Sequence, residues 1–164
     1  MKHPPIYVLG YGSLMNVYSL KRTCPTAEII ELAQITEFKR IFNKPAVSFA
    51  ALNIIQTNNS QDIVNAVIIE ITCKEEFNDL IIREFGYNKI KLIVNNKEVY
   101  AFSSPEEPML FKYENQTQKE YLLTCMHGAQ SHGEDFYKRF LETTLIEETL
   151  LAKDSHTVKE LEEE

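Results

Sequence analysis

One glutamate in this sequence stands where a carboxylate is unusual, on the apolar face of a predicted helix. Residues 74–84 repeat apolar side chains at helical spacing, at Phe77, Leu80 and Ile81. Glu84 continues that face in the last turn. Apolar surroundings and the negative end of the helix dipole both raise a carboxyl pKa, towards the value that suits a general base at neutral pH. The alternative is a rim glutamate that forms an ion pair with Arg83 or Lys89.

A second candidate is the loop that follows the first predicted strand. It contains six residues: Leu9, Gly10, Tyr11, Gly12, Ser13 and Leu14. Free N–H groups at the start of a helix can hold a carboxylate or a developing oxyanion, and glycine allows close approach to the backbone. The dinucleotide fingerprint, for which Glu31 is suitably placed, needs a small residue where Met15 stands, and the nucleophile elbow needs glycine there. Both motifs fail at the same residue, and a plain turn is the structural alternative.

A third group, Cys125, His127 and His132, raises the question of a metal site. The two histidines are five residues apart, which separates them by about 140° on a helix of about 3.6 residues per turn. They cannot both face one ion on an unbroken helix. Gly128 and Gly133 instead predict a place where two helices turn and pack. We therefore expect no metal ligands here.

Composition excludes several function classes. The chain has 164 residues, 44% of them apolar, and a net charge of −7, which fits one ordinary domain. Its scattered lysines and arginines do not form the basic face expected of a nucleic-acid-binding protein, and no apolar run approaches the roughly 18 residues of a membrane span. The N-terminus lacks a signal-peptide pattern, and the three cysteines are unclustered, which predicts reduced thiols in a cytoplasmic protein. We expect a domain over 1–152 and an acidic, frayed tail over 153–164.

The order of predicted elements indicates an α+β fold. A strand and a short helix are followed by several strands, a helix, a hairpin turning at Asn95 and Asn96, and helices over 118–130 and 134–151. Asparagine can take the positive φ that glycine usually supplies in such a hairpin. Short strands in this number could close a small barrel.

Three motifs in this order resemble the γ-glutamylcyclotransferase-like superfamily, which includes the glutathione-specific cyclotransferases and the plant avirulence-induced-like proteins. They are Gly10-Tyr11-Gly12-Ser13-Leu14-Met15-Asn16, Arg83-Glu84-Phe85-Gly86-Tyr87, and the segment from Tyr121 to Gly128-Ala129. Residues 38–43 and 51–54 are similar to its barrel strands. The resemblance implies a small mixed β-barrel flanked by α-helices.

The resemblance also implies a reaction. In this superfamily the α-amine of a γ-glutamyl group attacks its own γ-amide, and 5-oxoproline and an amine are released. By resemblance, Glu84 is the general base, residues 9–14 bind the γ-glutamyl group, and Tyr121 and Tyr87 contact the substrate. Ser13 is then a binding residue and not a nucleophile. No metal or cofactor is implied, and the expected partner is a small γ-glutamyl molecule.

Other functions stay open at this point. The same pocket could bind a γ-glutamyl or other anionic metabolite without turnover, and Gly10, Gly12 and Glu31 keep a dinucleotide-dependent oxidoreductase as a third possibility. The substrate could be a γ-glutamyl amino acid, glutathione, a γ-glutamylamine or a larger conjugate. Oligomeric state is not indicated by the sequence.

Overall fold

The computed structural model describes residues 4–105 and 109–163, apart from the Ser155 side chain. Residues 1–3 and 106–108 of the predicted domain, and residue 164 of the predicted tail, lie outside the described residues. The strands β1 to β9 are Ile6–Gly10, Glu28–Thr36, Phe38–Pro45, Ala50–Gln56, Ile63–Ile71, Asn88–Val94, Lys97–Ser103, Thr144–Ile146 and Thr149–Leu150. The helices α1 to α5 are Val17–Thr23, Lys74–Arg83, Gln116–Gln130, Glu134–Thr143 and Ser155–Glu162, and short 3-10 turns occupy Ser13–Met15 and Leu151–Lys153.

The strands form two mixed sheets, which confirms the α+β class. The larger sheet has the order β2-β5-β1-β7-β6, and the smaller has the order β4-β3-β8-β9. β1 lies at the centre of the larger sheet, antiparallel to β5 and parallel to β7. In the described part of the chain these ladders form two separate sheets, so the closed barrel that the resemblance implied is not observed.

Apolar runs explain the central strands. Residues 64–69 of β5 are all buried, as expected for a strand covered on both faces. The predicted hairpin of β6 and β7 is confirmed, and Asn95 and Asn96 both take positive φ, at 51° and 64°. The predicted helix over 74–84 is also confirmed as α2, with Phe77 and Leu80 buried and Glu84 at its C-terminal cap.

A buried arginine joins the two sheets beneath the loop that follows β1. Arg40 lies between Phe38 and Phe42 on the buried face of β3 and is 0% exposed. Its guanidinium donates to the Asn65 side chain at 2.6 Å, to the Asn65 carbonyl at 2.7 Å and to the Tyr11 carbonyl at 3.1 Å. Burial lowers the pKa of Arg40 to about 9, which still leaves it charged at neutral pH. These bonds fix the end of β1 relative to β3 and β5.

The C-terminal part differs from the sequence prediction. The predicted helix over 134–151 ends at Thr143, because residues 144–150 form β8 and β9 with a turn at Glu147, whose φ is 57°. Thr144 pairs with Arg40 across β3 and β8, and its hydroxyl accepts a bond from Arg40 Nε at 2.7 Å. The predicted frayed tail is also replaced by helix α5, in which Val158 and Leu161 are buried. In both segments the local preference for a conformation is weak, and contacts with the rest of the protein decide the structure.

Candidate active site

Two adjoining cavities open beside the loop that follows β1. The larger is a cleft of about 820 Å³, and the smaller has a volume of only about 30 Å³, space for little more than one water molecule. Four residues line both of them: Ser13, Glu84, Tyr87 and Tyr121. The predicted base, the predicted loop and both predicted tyrosines are therefore brought together in space.

The loop presents most of its residues to the smaller cavity. Leu9, Tyr11, Gly12, Ser13 and Leu14 all line it. Gly10 lines neither cavity, because it faces the core: a Cβ atom there would lie 3.0 Å from Val67 Cγ2 and 3.1 Å from Ile69 Cδ1. The geometry thus gives Gly10 a packing role in place of the expected substrate contact.

Glu84 lies in the zone that the two cavities share. It caps the C-terminus of α2, where its N–H bonds to the Leu80 carbonyl, and its side chain is only partly exposed. Burial raises the pKa of its carboxyl group, and the nearby charge of Arg83 offsets part of that rise. Within the described residues, Glu84 forms no ion pair with Arg83 or Lys89. The carboxyl group therefore lies at the wall that the two cavities share.

Arg83 connects helix α2, at whose end Glu84 lies, to the loop. Its guanidinium donates to Ser19 Oγ and the Ser19 carbonyl, each at 2.7 Å, and to Thr23 Oγ1 and Ser13 Oγ, each at 3.1 Å. Three of its four acceptors belong to α1 and one belongs to the 3-10 turn. The four bonds hold α2, α1 and the loop in one arrangement around Glu84.

Ser13 is not arranged as a nucleophile. In the part of the chain that the structure describes, its hydroxyl is bonded to the Arg83 guanidinium, which can only donate, and no histidine or carboxylate accepts its proton. Activation of a serine requires an adjacent base. The expectation of a binding role for Ser13 remains a prediction that this geometry favours.

Tyr87 and Tyr121 both hold Leu52, a residue of β4. The Tyr87 hydroxyl donates to the Leu52 carbonyl at 2.6 Å, and the Tyr121 hydroxyl accepts from the Leu52 N–H at 3.0 Å. Burial is the main cause that raises the pKa of both phenols, and the negative charge of Glu84 adds to the rise at Tyr87. Both hydroxyls therefore stay protonated at neutral pH.

Tyr11 completes the wall of phenols around the smaller cavity. Its hydroxyl donates to the Phe102 carbonyl, and burial, followed by the charges of Tyr87 and Glu84, raises its pKa. The residue is 7% exposed. Three protonated phenols and one partly buried carboxylate thus surround a space with little room for water, where hydrogen bonds are strengthened by the low dielectric.

This fold is shared with solved structures over almost the whole chain. The human uncharacterized protein loc79017 is 17% identical, with a TM-score of 0.68 that covers 96% of this chain and 98% of that one. A structure named gamma-glutamyl cyclotransferase is 16% identical, with a TM-score of 0.68 and coverage of 98% and 100%. The chain has the γ-glutamyl cyclotransferase fold. A yeast gamma-glutamyl cyclotransferase specific to glutathione is 16% identical, with a TM-score of 0.56 over 85% of this chain and 95% of that one. No family model and no curated protein matches the sequence.

The γ-glutamyl cyclotransferase fold does not place Glu31 near the glycine loop. Glu31 forms an ion pair with Lys97 at 2.7 Å and lines neither cavity of the site. The strand beside β1 on that side, β5, runs antiparallel, whereas a dinucleotide-binding unit requires parallel strands joined by a helix. The geometry therefore disfavours the dinucleotide interpretation.

The third sequence motif packs helix α3 against the loop. His132 Nε2 lies 2.9 Å from the Met15 carbonyl oxygen, and the Asn16 side chain donates to the Thr124 carbonyl at 3.1 Å. Cys125 is buried, which raises the pKa of its thiol to about 12. Among the described residues no group of histidine, cysteine and acidic side chains could hold a metal ion, and no helix is long and apolar enough to cross a membrane.

Sequence reasoning missed several residues of this γ-glutamyl cyclotransferase fold that shape the site. Leu52 carries the backbone groups that hold both tyrosines, and Lys44 and Arg22 line the larger cleft. The sequence did carry a signal for Arg40. Residues two apart in a strand share a face, so the positions of Phe38 and Phe42 place Arg40 on the same apolar face as theirs. Leu52 and Lys44 had no such signal as site residues, because their roles depend on which elements meet at the cleft.

Proposed function

We propose that this chain is an enzyme that cyclises γ-glutamyl compounds, with Glu84 as the general base. The α-amine nitrogen of the substrate forms a bond to its own γ-carbonyl carbon, the γ-amide C–N bond breaks, and 5-oxoproline and an amine leave. The attack is intramolecular, so the enzyme gains from proximity and requires no nucleophile of its own. The absence of a base beside Ser13, in the described residues, agrees with such a reaction.

The observation that carries the proposal is the position of Glu84. It borders both cavities together with Ser13, Tyr87 and Tyr121, and its pKa is raised by burial. In the proposed reaction it removes a proton from the substrate ammonium, and it then delivers that proton to the leaving nitrogen. A carboxylate with a raised pKa is better suited to both steps than a fully solvated one.

The smaller cavity suits the charge that develops during attack. Its volume of about 30 Å³ cannot hold a whole γ-glutamyl group, but it can hold one oxygen atom of that group. The N–H groups of Ser13 and Leu14 lie in the first turn of a 3-10 segment and lack acceptors within it. We assign them to the oxyanion or to a substrate carboxylate, with Leu9, residues 11–14 and the two tyrosines as the binding wall.

Three free cysteines, Cys24, Cys73 and Cys125, accord with the proposed cytoplasmic location.

The test is release of 5-oxoproline from γ-glutamyl dipeptides, glutathione and γ-glutamylamines by the wild type and by Glu84→Gln. We expect turnover of at least one compound and a loss of about 10²- to 10⁴-fold in the variant, the usual range for removal of a general base. Glu98→Gln is the matched control, because Glu98 is exposed and, among the described residues, its one ion pair is with Lys91 on the surface of the larger sheet. Both variants should keep a single cooperative unfolding transition, which shows that each of them is folded.

Two outcomes would contradict the proposal. Wild-type turnover by Glu84→Gln would remove Glu84 as the base. Saturable binding of a γ-glutamyl compound with no product from any of the panel would instead support a non-catalytic binding protein on the same fold.

A further inference from the structure

The larger cleft concentrates positive charge in a protein that is acidic overall. Its lining includes three cationic side chains, Arg22, Lys44 and Arg83, and one carboxylate, Glu84. The whole chain, by contrast, has a net charge of −7. A cleft whose charge is opposite to that of its protein attracts anionic ligands.

The three cations are not equivalent. Arg83 is occupied by its four hydrogen bonds to Ser13, Ser19 and Thr23. Lys44, in contrast, forms no ion pair or side-chain hydrogen bond within residues 4–105 and 109–163, and its ammonium lies 5.4 Å from the centre of the Tyr87 ring. Lys44 is half-buried and Arg22 is exposed. Lys44 is thus the cation that is available to a ligand and partly shielded from water.

The sequence at the end of α2 makes room for the Lys44 ammonium. Gly86 has a φ of 91°, and a Cβ atom built on it would lie 2.6 Å from Lys44 Nζ. Any other residue here would displace the ammonium from the turn that connects Glu84 to Tyr87. The lack of a side chain at Gly86 therefore leaves room for the Lys44 ammonium next to the turn that follows Glu84.

The orientation of a substrate follows from the position of Glu84. A γ-glutamyl group must bring its α-amine to Glu84, where the two cavities meet, and neither lysine nor arginine lines the smaller cavity. The departing amine then extends into the larger cleft, where Lys44 and Arg22 lie. Resting on the proposed function, we propose that Lys44, assisted by Arg22, binds a carboxylate carried by the leaving group. The enzyme then prefers γ-glutamyl amino acids and peptides to γ-glutamylamines.

A pair of compounds that differ only in that carboxylate tests the assignment: γ-glutamyl-alanine and γ-glutamyl-alanine amide. Binding is measured by titration calorimetry to the Glu84→Gln protein, so that the readout does not depend on turnover. We expect the acid to bind about tenfold more tightly than the amide, the size of one hydrogen bond between charged partners. The additional substitution Lys44→Gln should reduce this ratio to about one, while Lys44→Arg should retain most of it. Added salt should weaken binding of the acid more than that of the amide.

Lys89→Gln is the matched control. Lys89 also lies over a tyrosine ring, 4.8 Å from the centre of Tyr100, but it lines neither cavity. Lys89→Gln changes the net charge by the same amount as Lys44→Gln, and it should leave the ratio of the affinities for the acid and the amide unchanged. If Lys89→Gln reduced the ratio as much as Lys44→Gln, the effect would be one of overall charge, and the assignment would be overturned.

The outcomes separate this inference from the proposed function. Equal affinity for acid and amide in the Glu84→Gln background overturns the carboxylate subsite, even if the wild type releases 5-oxoproline from both. A tenfold preference that depends on Lys44, with no 5-oxoproline from either compound, supports the subsite and rejects the cyclisation. No measurable binding of either compound, together with no 5-oxoproline from either compound with the wild type, overturns both.

Discussion

The guanidinium of Arg83 donates a hydrogen bond to Ser13 Oγ across 3.1 Å, although 70 residues separate them in the chain. Arg83 directly precedes Glu84, and Ser13 lies in the loop that lines the smaller cavity. One side chain therefore sets the distance between the proposed base and the proposed binding loop. Its charge also offsets part of the rise that burial causes in the pKa of Glu84.

Substitution of Arg83 should separate these two effects. Arg83→Gln removes the charge and most of the bonds, so we expect a higher pKa for Glu84 and a shift of the acidic limb of kcat/KM to higher pH. Arg83→Lys keeps the charge, and that limb should stay near its wild-type position. Both variants leave partly buried Ser19 acceptors without their partners, at a cost of about 1–3 kcal/mol in the free energy of unfolding. Urea denaturation and pH–rate profiles measure the two effects, and an identical limb in all three proteins would contradict the electrostatic role.

The raised pKa of Glu84 predicts a dependence of stability on pH. Its pKa in the folded protein lies above its ordinary value of 4.5, so the folded state binds the proton more tightly than the unfolded state. The associated stability is complete below the unfolded pKa and is lost as the pH rises through the folded pKa. Glu84→Gln cannot ionise, so the free energy of unfolding of the variant relative to wild type should increase over that window and then level off. Urea titrations from about pH 4 to about pH 8 test this, and a constant difference would contradict it.

The two tyrosines that hold Leu52 should differ in their contribution to stability. Tyr121→Phe leaves the Leu52 N–H without its acceptor in a buried place, which costs about 1–3 kcal/mol in the free energy of unfolding. Tyr87→Phe removes a donor from the Leu52 carbonyl, and we expect the smaller loss of about 0.5–1.5 kcal/mol. Tyr18→Phe is the control, because Tyr18 is 80% exposed. Equal unfolding midpoints for all three variants would show that these bonds do not stabilise the fold.

Gly12 and Gly133 should respond to alanine for different reasons. A Cβ atom at Gly12, whose φ is −132°, would lie 3.3 Å from Leu52 Cβ and 3.4 Å from Tyr121 Oη. An alanine side chain at this position would therefore be crowded by the walls of the site. We expect Gly12→Ala to raise KM, because the cavity wall must shift. Gly133 has a φ of 108° and open space around it, so Gly133→Ala should cost about 1–2 kcal/mol in stability through the backbone alone, with KM unchanged. A KM effect at Gly133 but not at Gly12 would reverse the assignment.

Local patterns were sufficient wherever one element decides its own structure. The helical spacing of 74–84 predicted α2 and placed Glu84 at its end, and two asparagines predicted the hairpin turn between β6 and β7. Periodicity reports which face of one element is buried, and turn residues report their own backbone conformation. Both signals are complete within about ten residues of sequence.

The C-terminal elements were not predictable in this way. Residues 144–150 continue a plausible helical pattern, yet Thr144 pairs with Arg40 from a strand about a hundred residues earlier. The apolar residues Val158 and Leu161 in the acidic tail were too few to predict packing by themselves. Their structure depends on partners that the local sequence does not contain.

The sequence by itself determined which chemical groups this protein has available: a glutamate at the end of an amphipathic helix, a glycine loop after the first strand, and two tyrosines. Only the tertiary structure decided that Glu84, Ser13, Tyr87 and Tyr121 share one cavity wall, that Gly10 faces the core, and that Lys44 lies over the Tyr87 ring in the larger cleft. The physical reason is that these relationships depend on hydrogen bonds and packing between residues 69 to 104 positions apart, such as those of Arg83, Arg40 and Leu52. No such contact forms until the sheets and helices pack together.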